Sequence, residues 1–179
     1  ARDTFENTST AIKTRGDWLG TNLITALIAA SVINIFKETL EQVIFLAVLM
    51  PIIASMGGVA ATQTLTITVR GLALGQIVRA NYLYIFNREL LVGISNGFIW
   101  AVILSLIACS WFQDWLLAWV ICLSMIINLV AGVLSGMGIP ILLKSLKMDP
   151  AVAGSVIVTT VTDVIGFFSF LGLASYFYS

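Results

Sequence analysis

Residues 151–179 read AVAGSVIVTTVTDVIGFFSFLGLASYFYS, and Asp163 is the only ionisable side chain there apart from two tyrosines. A helix of this length reaches about 40 Å, more than a ~30 Å hydrocarbon core requires. An acid near the middle of such a helix costs about 2.5–3.5 kcal/mol on insertion scales, so it is normally turned toward protein or a water-filled path. No lysine or arginine lies at matching depth in the stretch. The expected partner is a permeating cation. The competing reading is a structural carboxylate hydrogen-bonded to Thr159, Thr162 or a hydroxyl on a neighbouring helix.

The rest of the chain agrees with a membrane setting. Of its 179 residues, 59% are hydrophobic and 10% charged, whereas soluble domains carry about 25% charged residues. Five apolar stretches follow one another, at residues 18–36, 42–69, 90–112, 115–143 and 150–178. The expected fold is therefore an all-α integral membrane protein with five transmembrane helices. The second stretch is long enough to need a tilt or a break, for which Pro51 and the pair Gly57, Gly58 offer places. Residues 1–17 are polar, mixed in charge and without a signal-peptide layout; they are expected to be a cytosolic linker or partial connecting helix, with residues 18–179 as the membrane domain.

Several function classes are disfavoured. The chain has no histidine, the commonest ligand for resident transition metals. No segment is basic enough for nucleic acid, and no nucleophile–base pair, phosphate loop or paired carboxylates appear. Neither an enzyme nor an organic cofactor is expected.

Charge sorting sets the expected orientation. Arg2, Lys13, Arg15, Arg70, Arg79, Arg88, Lys144 and Lys147 fall on one side, with Lys37 alone on the other beside Glu38 and Glu41. The positive-inside bias then puts the N-terminus in the cytoplasm and the C-terminus outside, in a cell (inner) membrane. Trp111, Trp115 and Trp119 crowd the tight turn at Asp114, as interfacial aromatics do. Residues 71–87 form the longest connection between spans and are expected to hold an interfacial helix.

Polar residues inside the spans are the candidate functional groups. Ser55, Gly58, Thr62 and Thr66 recur at helical spacing on one face of the second span. Such a face either packs closely against another helix or lines a cavity; Gln63 adds polarity beside it. Thr159, Asp163, Gly166 and Phe170 share a face of the fifth span, with Ser155 one turn away. Gly93 with Gly97, and Gly132 with Gly136, are small-residue pairs that favour tight packing. Asn22, Asn34, Asn96 and Asn128 are expected interhelical hydrogen-bonders, Asn128 the deepest. Cys109 and Cys122 lie at unequal distances from the turn between them, so no disulfide is expected.

Three stretches carry a family resemblance: MPIIASMGGVAATQTLTITVRGLALGQI (residues 50–77), RELLVGISNG (88–97) and DPAVAGSVIVTTVTDVIGFFSFLGLA (149–174). Together they resemble the membrane domain of MgtE-type magnesium channels. The resemblance implies a homodimer with one central pore along the shared axis, lined by the second and fifth helices of each subunit. It maps the family's essential acid onto Asp163, two copies of which would hold a largely hydrated Mg²⁺. Thr159 maps onto a position whose backbone carbonyl helps form that metal site, and Thr62 onto a pore-lining position. Gly58, Thr66, Ser155 and Gly166 complete the expected lining. Where relatives carry an asparagine after the paired glycines this chain has Val59, and where an Asn-Pro pair is frequent it has Ser155 and Val156. In the family, cytosolic regions with CBS domains close the pore through a connecting helix, and residues 1–17 would be the tail of that helix or a short cytosolic end. The implied function is a divalent-cation channel admitting Mg²⁺ to the cytoplasm. A proton- or sodium-coupled carrier and a non-transporting assembly subunit are the alternatives.

Overall fold

The computed structural model describes residues 4–179; Arg2, counted above among the sorted charges, lies outside them. Six α-helices follow in order among these residues: α1 Thr8–Ile35, α2 Lys37–Gln42, α3 Phe45–Ala73, α4 Tyr82–Phe112, α5 Leu116–Ser145 and α6 Val152–Tyr178. All except the short α2 are long and apolar enough to cross a membrane, as the five apolar stretches predict. The helix that begins at Thr8 runs without interruption into the first span, so most of residues 1–17 join α1.

α5 is the centre of the bundle. It packs against α3, α4 and α6, while α6 also meets α3 and α1. Half of the most apolar window of α5 (50%) is buried, against 11% for α1, whose buried residues are Ala29 and Val32. Small residues explain why α5 holds this place. A Cβ added at Gly132 would lie 2.8 Å from the Gly57 carbonyl oxygen, and one at Gly136 would lie 2.6 Å from that of Ala61. α3 and α5 thus cross with their backbones nearly touching, the arrangement that drives association where lipid offers no hydrophobic gradient. Gly93 and Gly97 do the same for α4 against Val133 and Ile126 of α5.

Each end of the bundle has its own fastening. At one end Phe45 stacks on Phe112 with centroids 4.8 Å apart and meets Tyr178 edge-on at 6.2 Å. The Tyr178 hydroxyl donates to Asp114 Oδ2 at 2.6 Å, and Asp114 Oδ1 accepts the Leu116 amide at 3.0 Å. At the other end Lys144 Nζ donates to the Leu72 carbonyl at 3.1 Å. The apolar core of Leu46, Leu49, Ile53, Ile121, Met125, Phe170 and Leu171 lies toward the aromatic end.

Of the tilt or break expected of the second span, the break does not occur at Pro51 or at the paired glycines; α3 is one helix from Phe45 to Ala73. Pro51 falls in its second turn, where the missing amide removes a single bond. The interfacial helix expected over residues 71–87 is also absent. α3 stops near Gly75 (φ 71°), one 3-10 turn spans Arg79–Asn81, and α4 already begins at Tyr82. Asn81 braces that turn, accepting the Val78 amide and donating to the Gln76 carbonyl, both at 2.9 Å.

Candidate functional site

The cavity of interest is a groove between α3 and α6. Its walls are Ser55, Gly58, Val59, Thr62, Gln63, Thr66 and Ile67 from α3, with Thr159 from α6, enclosing about 620 Å³. The spacing of Ser55, Gly58, Thr62 and Thr66 puts them on one side of α3, while the opposite side (Gly57, Ala61, Thr64, Leu65, Thr68) is buried. Gly57 and Ala61 let the inner side approach α5 closely, whereas the hydroxyls of Ser55, Thr62 and Thr66 lie on the outer side.

The groove hydroxyls are held by their own helices. Thr62 Oγ1 donates to the Gly58 carbonyl at 2.9 Å, Thr66 Oγ1 to that of Thr62 at 2.8 Å, and Thr159 Oγ1 to that of Ser155 at 2.8 Å. A hydroxyl that spends its proton this way still has acceptor capacity for a ligand. The result is a wall of neutral oxygens without a fixed positive charge. Oxygen ligands of this kind suit a hard cation or the water around it.

Asp163 lies one turn along α6 from Thr159 and is half-buried. Its carboxylate has no hydrogen-bond or ion-pair partner among the described residues. The hydroxyls that would make it a purely structural acid are committed elsewhere: Thr159 to Ser155, and Thr162 to the carbonyls of Val158 at 3.2 Å and Thr159 at 3.0 Å. No cluster of three or more acidic or thiol side chains able to hold a metal occurs among the described residues. The chain therefore offers a single carboxylate, one turn from Thr159 but outside the groove lining, too few ligands to strip a small divalent ion of its water.

Not every residue of the expected stripe joins the groove. Ser155 and Thr159 are exposed, but Gly166 and Phe170, on the same side of α6, are buried. Gly166 packs against the Asn128 side chain and so belongs to the interior of the bundle, not to the groove lining. The side of α6 that is open near Thr159 closes against α3 and α5 further along.

Glu89 escapes the sequence reading. It is only 6% exposed, and its Oε2 accepts a hydrogen bond from Thr64 Oγ1 at 3.1 Å. Starting the third span at Leu90 leaves Glu89 outside it, whereas α4 begins two turns earlier. The signal was its spacing from Gly93 and Gly97, which puts all three on the buried face of α4. Nearby, Gln63 and Asn96 share a smaller pocket of about 240 Å³ with Met56 and Trp100, so Gln63 borders both cavities. The thiols remain free: Cys109 donates to the Asp114 carbonyl and Cys122 lies 3.2 Å from Ser105 Oγ.

Residues 50–173 match the family model MgtE, described as a divalent cation transporter. The chain is 33% identical over 160 residues to a magnesium transporter MgtE of Bacillus subtilis, covering 89% of this chain and 36% of that protein. It is 30% identical over 172 residues to the one of Enterococcus faecalis (96% and 38%). The one of Thermus thermophilus is 29% identical over 157 residues (88% and 35%). The chain thus spans little more than a third of the length of these relatives.

Proposed function

The chain belongs to the MgtE divalent cation transporter family, and on that premise we propose that it conducts hydrated Mg²⁺ across a cell membrane as a homodimeric channel. The observation that carries this reading is the unpartnered Asp163 carboxylate, one turn along α6 from Thr159, which lines the α3–α6 groove. Two copies related by a twofold axis would bring two such grooves face to face. The paired carboxylates would then supply the charge that a single protomer lacks. Mg²⁺ dehydrates reluctantly, so carboxylates and hydroxyl oxygens acting through its water shell are a suitable selectivity device. Thr62, Thr66 and Thr159 supply acceptors along the path, with Ser55 and Ser155 at its margins and Gly58 leaving room.

The sorting of basic residues favours a cytoplasmic N-terminus and an external C-terminus in the inner membrane. Membrane potential then drives a divalent ion inward with about 4.6 kcal/mol per 100 mV, without any need for nucleotide hydrolysis. Residues 8–17, the opening turns of α1, would lie on the cytosolic side of the membrane.

A coupled carrier is the second reading, favoured by Glu89 as another membrane-embedded carboxylate. Uptake by proteoliposomes holding the purified chain, compared for Mg²⁺, Ca²⁺, Mn²⁺, Co²⁺ and Na⁺, tests the proposal. Channel function predicts Mg²⁺ uptake that follows the imposed voltage. Stoichiometric counter-movement of protons or sodium would favour the carrier, and no flux of any ion would leave only an assembly role.

A further inference from the structure

Asn128 of α5 is fully buried at the point where α3, α5 and α6 meet. Its Nδ2 donates to the Ile53 carbonyl of α3 at 2.9 Å, while its Oδ1 has no partner among the described residues. Two glycines seat the side chain. A Cβ at Gly57 of α3 would overlap the Asn128 amide, and one at Gly166 of α6 would lie 2.8 Å from Nδ2. The amide is therefore the spacer between these two helices, with no room for anything thicker.

Both helices carry candidate path residues near that spacer. Gly57 adjoins Gly58 in the turn that also presents Ser55. Gly166 lies three residues from Asp163, nearly one turn along α6. We propose that Asn128 is a positioning residue for the cation path, holding α3 and α6 at the separation and rotation that set Asp163 against the groove wall. The inference rests on the reading of that groove as a cation path. An amide is suited to the role where an aliphatic side chain is not. Its directional bond to Ile53 holds one orientation in a low-dielectric interior, so the spacing has one value. Keeping an amide with an orphaned oxygen in a fully buried place, which natural interiors rarely do, points to a requirement beyond filling space.

The test uses the whole chain. Asn128→Ser thins the spacer, Gly166→Ala thickens its seat, and the pair exchanges bulk across the contact. In proteoliposomes each single variant is expected to raise the Mg²⁺ concentration for half-maximal uptake by about tenfold or more, as supporting residues of ion sites do. The pair should return to within about threefold of the parent, because the two changes touch one another. Half-saturation at the parent value in both single variants, with loss confined to the amount of folded protein, would overturn the proposal. If Gly166→Ala does not assemble, Asn128→Leu takes its place: it keeps bulk without the amide and should raise half-saturation as well, while an unchanged value would count against us. A second arm reads spacing without transport. Ser55→Cys and Thr159→Cys, with Cys109 and Cys122 replaced by alanine, are joined by thiol linkers of graded length. The shortest effective linker should differ between the parent and Asn128→Ser; identical lengths would overturn the spacer role. A parent that moves no Mg²⁺ would sink the functional reading and the cation path with it, while the linker arm still decides whether Asn128 sets the spacing of α3 and α6.

Discussion

Thr64 Oγ1 donates to Glu89 Oε2 across the seam between α3 and α4, while Thr62 and Thr66 on either side of it bond back to their own helix. Alternate threonines thus divide α3 into an inner side fastened to the bundle and an outer side open to the groove. Glu89→Ala removes the cross-helix acceptor of Thr64 and should lower stability by about 1 kcal/mol, the usual scale of a hydrogen bond between membrane helices. Glu89→Gln keeps an acceptor in place and should melt close to the parent. Thermal unfolding of detergent-solubilised protein separates the two; equal midpoints for parent and Ala would mean that the bond contributes nothing.

The clasp at the aromatic end makes a second prediction. Tyr178→Phe deletes one hydrogen bond and should cost about 1 kcal/mol. Asp114→Ala also releases the Leu116 amide and should cost more. In an Asp114→Ala background the Tyr178→Phe change should become nearly free, which a double-mutant cycle on unfolding midpoints measures directly.

Glycines on α3 and α5 separate packing from lining. Gly136→Ala drives a methyl toward the Ala61 carbonyl and should destabilise the bundle by about 1–3 kcal/mol, as overpacking does. Gly58→Ala meets nothing within 4 Å and should leave assembly intact. Size-exclusion profiles and melting curves of the two variants should diverge; similar behaviour would contradict the α3–α5 contact described above.

Removing groove hydroxyls should affect transport before folding. Thr62→Val and Thr66→Val preserve shape and delete one oxygen each. Uptake of Mg²⁺ is expected to fall about 2- to 10-fold per site, the worth of one hydrogen bond to ion-bound water, with melting curves unchanged. Full uptake in both variants would remove these residues from the path.

How far the sequence could be read depended on what each signal measures. Length and apolar composition specify spans, so α1, α3, α4, α5 and α6 were legible. The start of α4 was not, because Arg88 and Glu89 look like the charged edge of a span. Charge marks water only where the side chain reaches it, and Glu89 instead turns inward to Thr64. Periodicity gives the direction of a side chain around its helix but not what stands opposite it at each level. That is why Thr159 and Gly166 share a stripe in sequence yet end in different surroundings. Helix crossing closes one and leaves the other open. The same limit hid Asn128: its depth was legible, but its seat between two glycines of other helices depends on tertiary contacts. Pro51 suggested a break by residue type alone, whereas its position in the second turn of α3 leaves the helix continuous.

Asp163 bears the most weight, and one measurement addresses it directly: voltage-driven Mg²⁺ uptake into proteoliposomes containing the parent, Asp163→Asn or Asp163→Ala chain at equal folded amounts. Robust uptake is expected of the parent, severely weakened uptake of the isosteric amide, and none above empty vesicles with alanine. Uptake by Asp163→Ala at the parental rate would contradict the role given to Asp163.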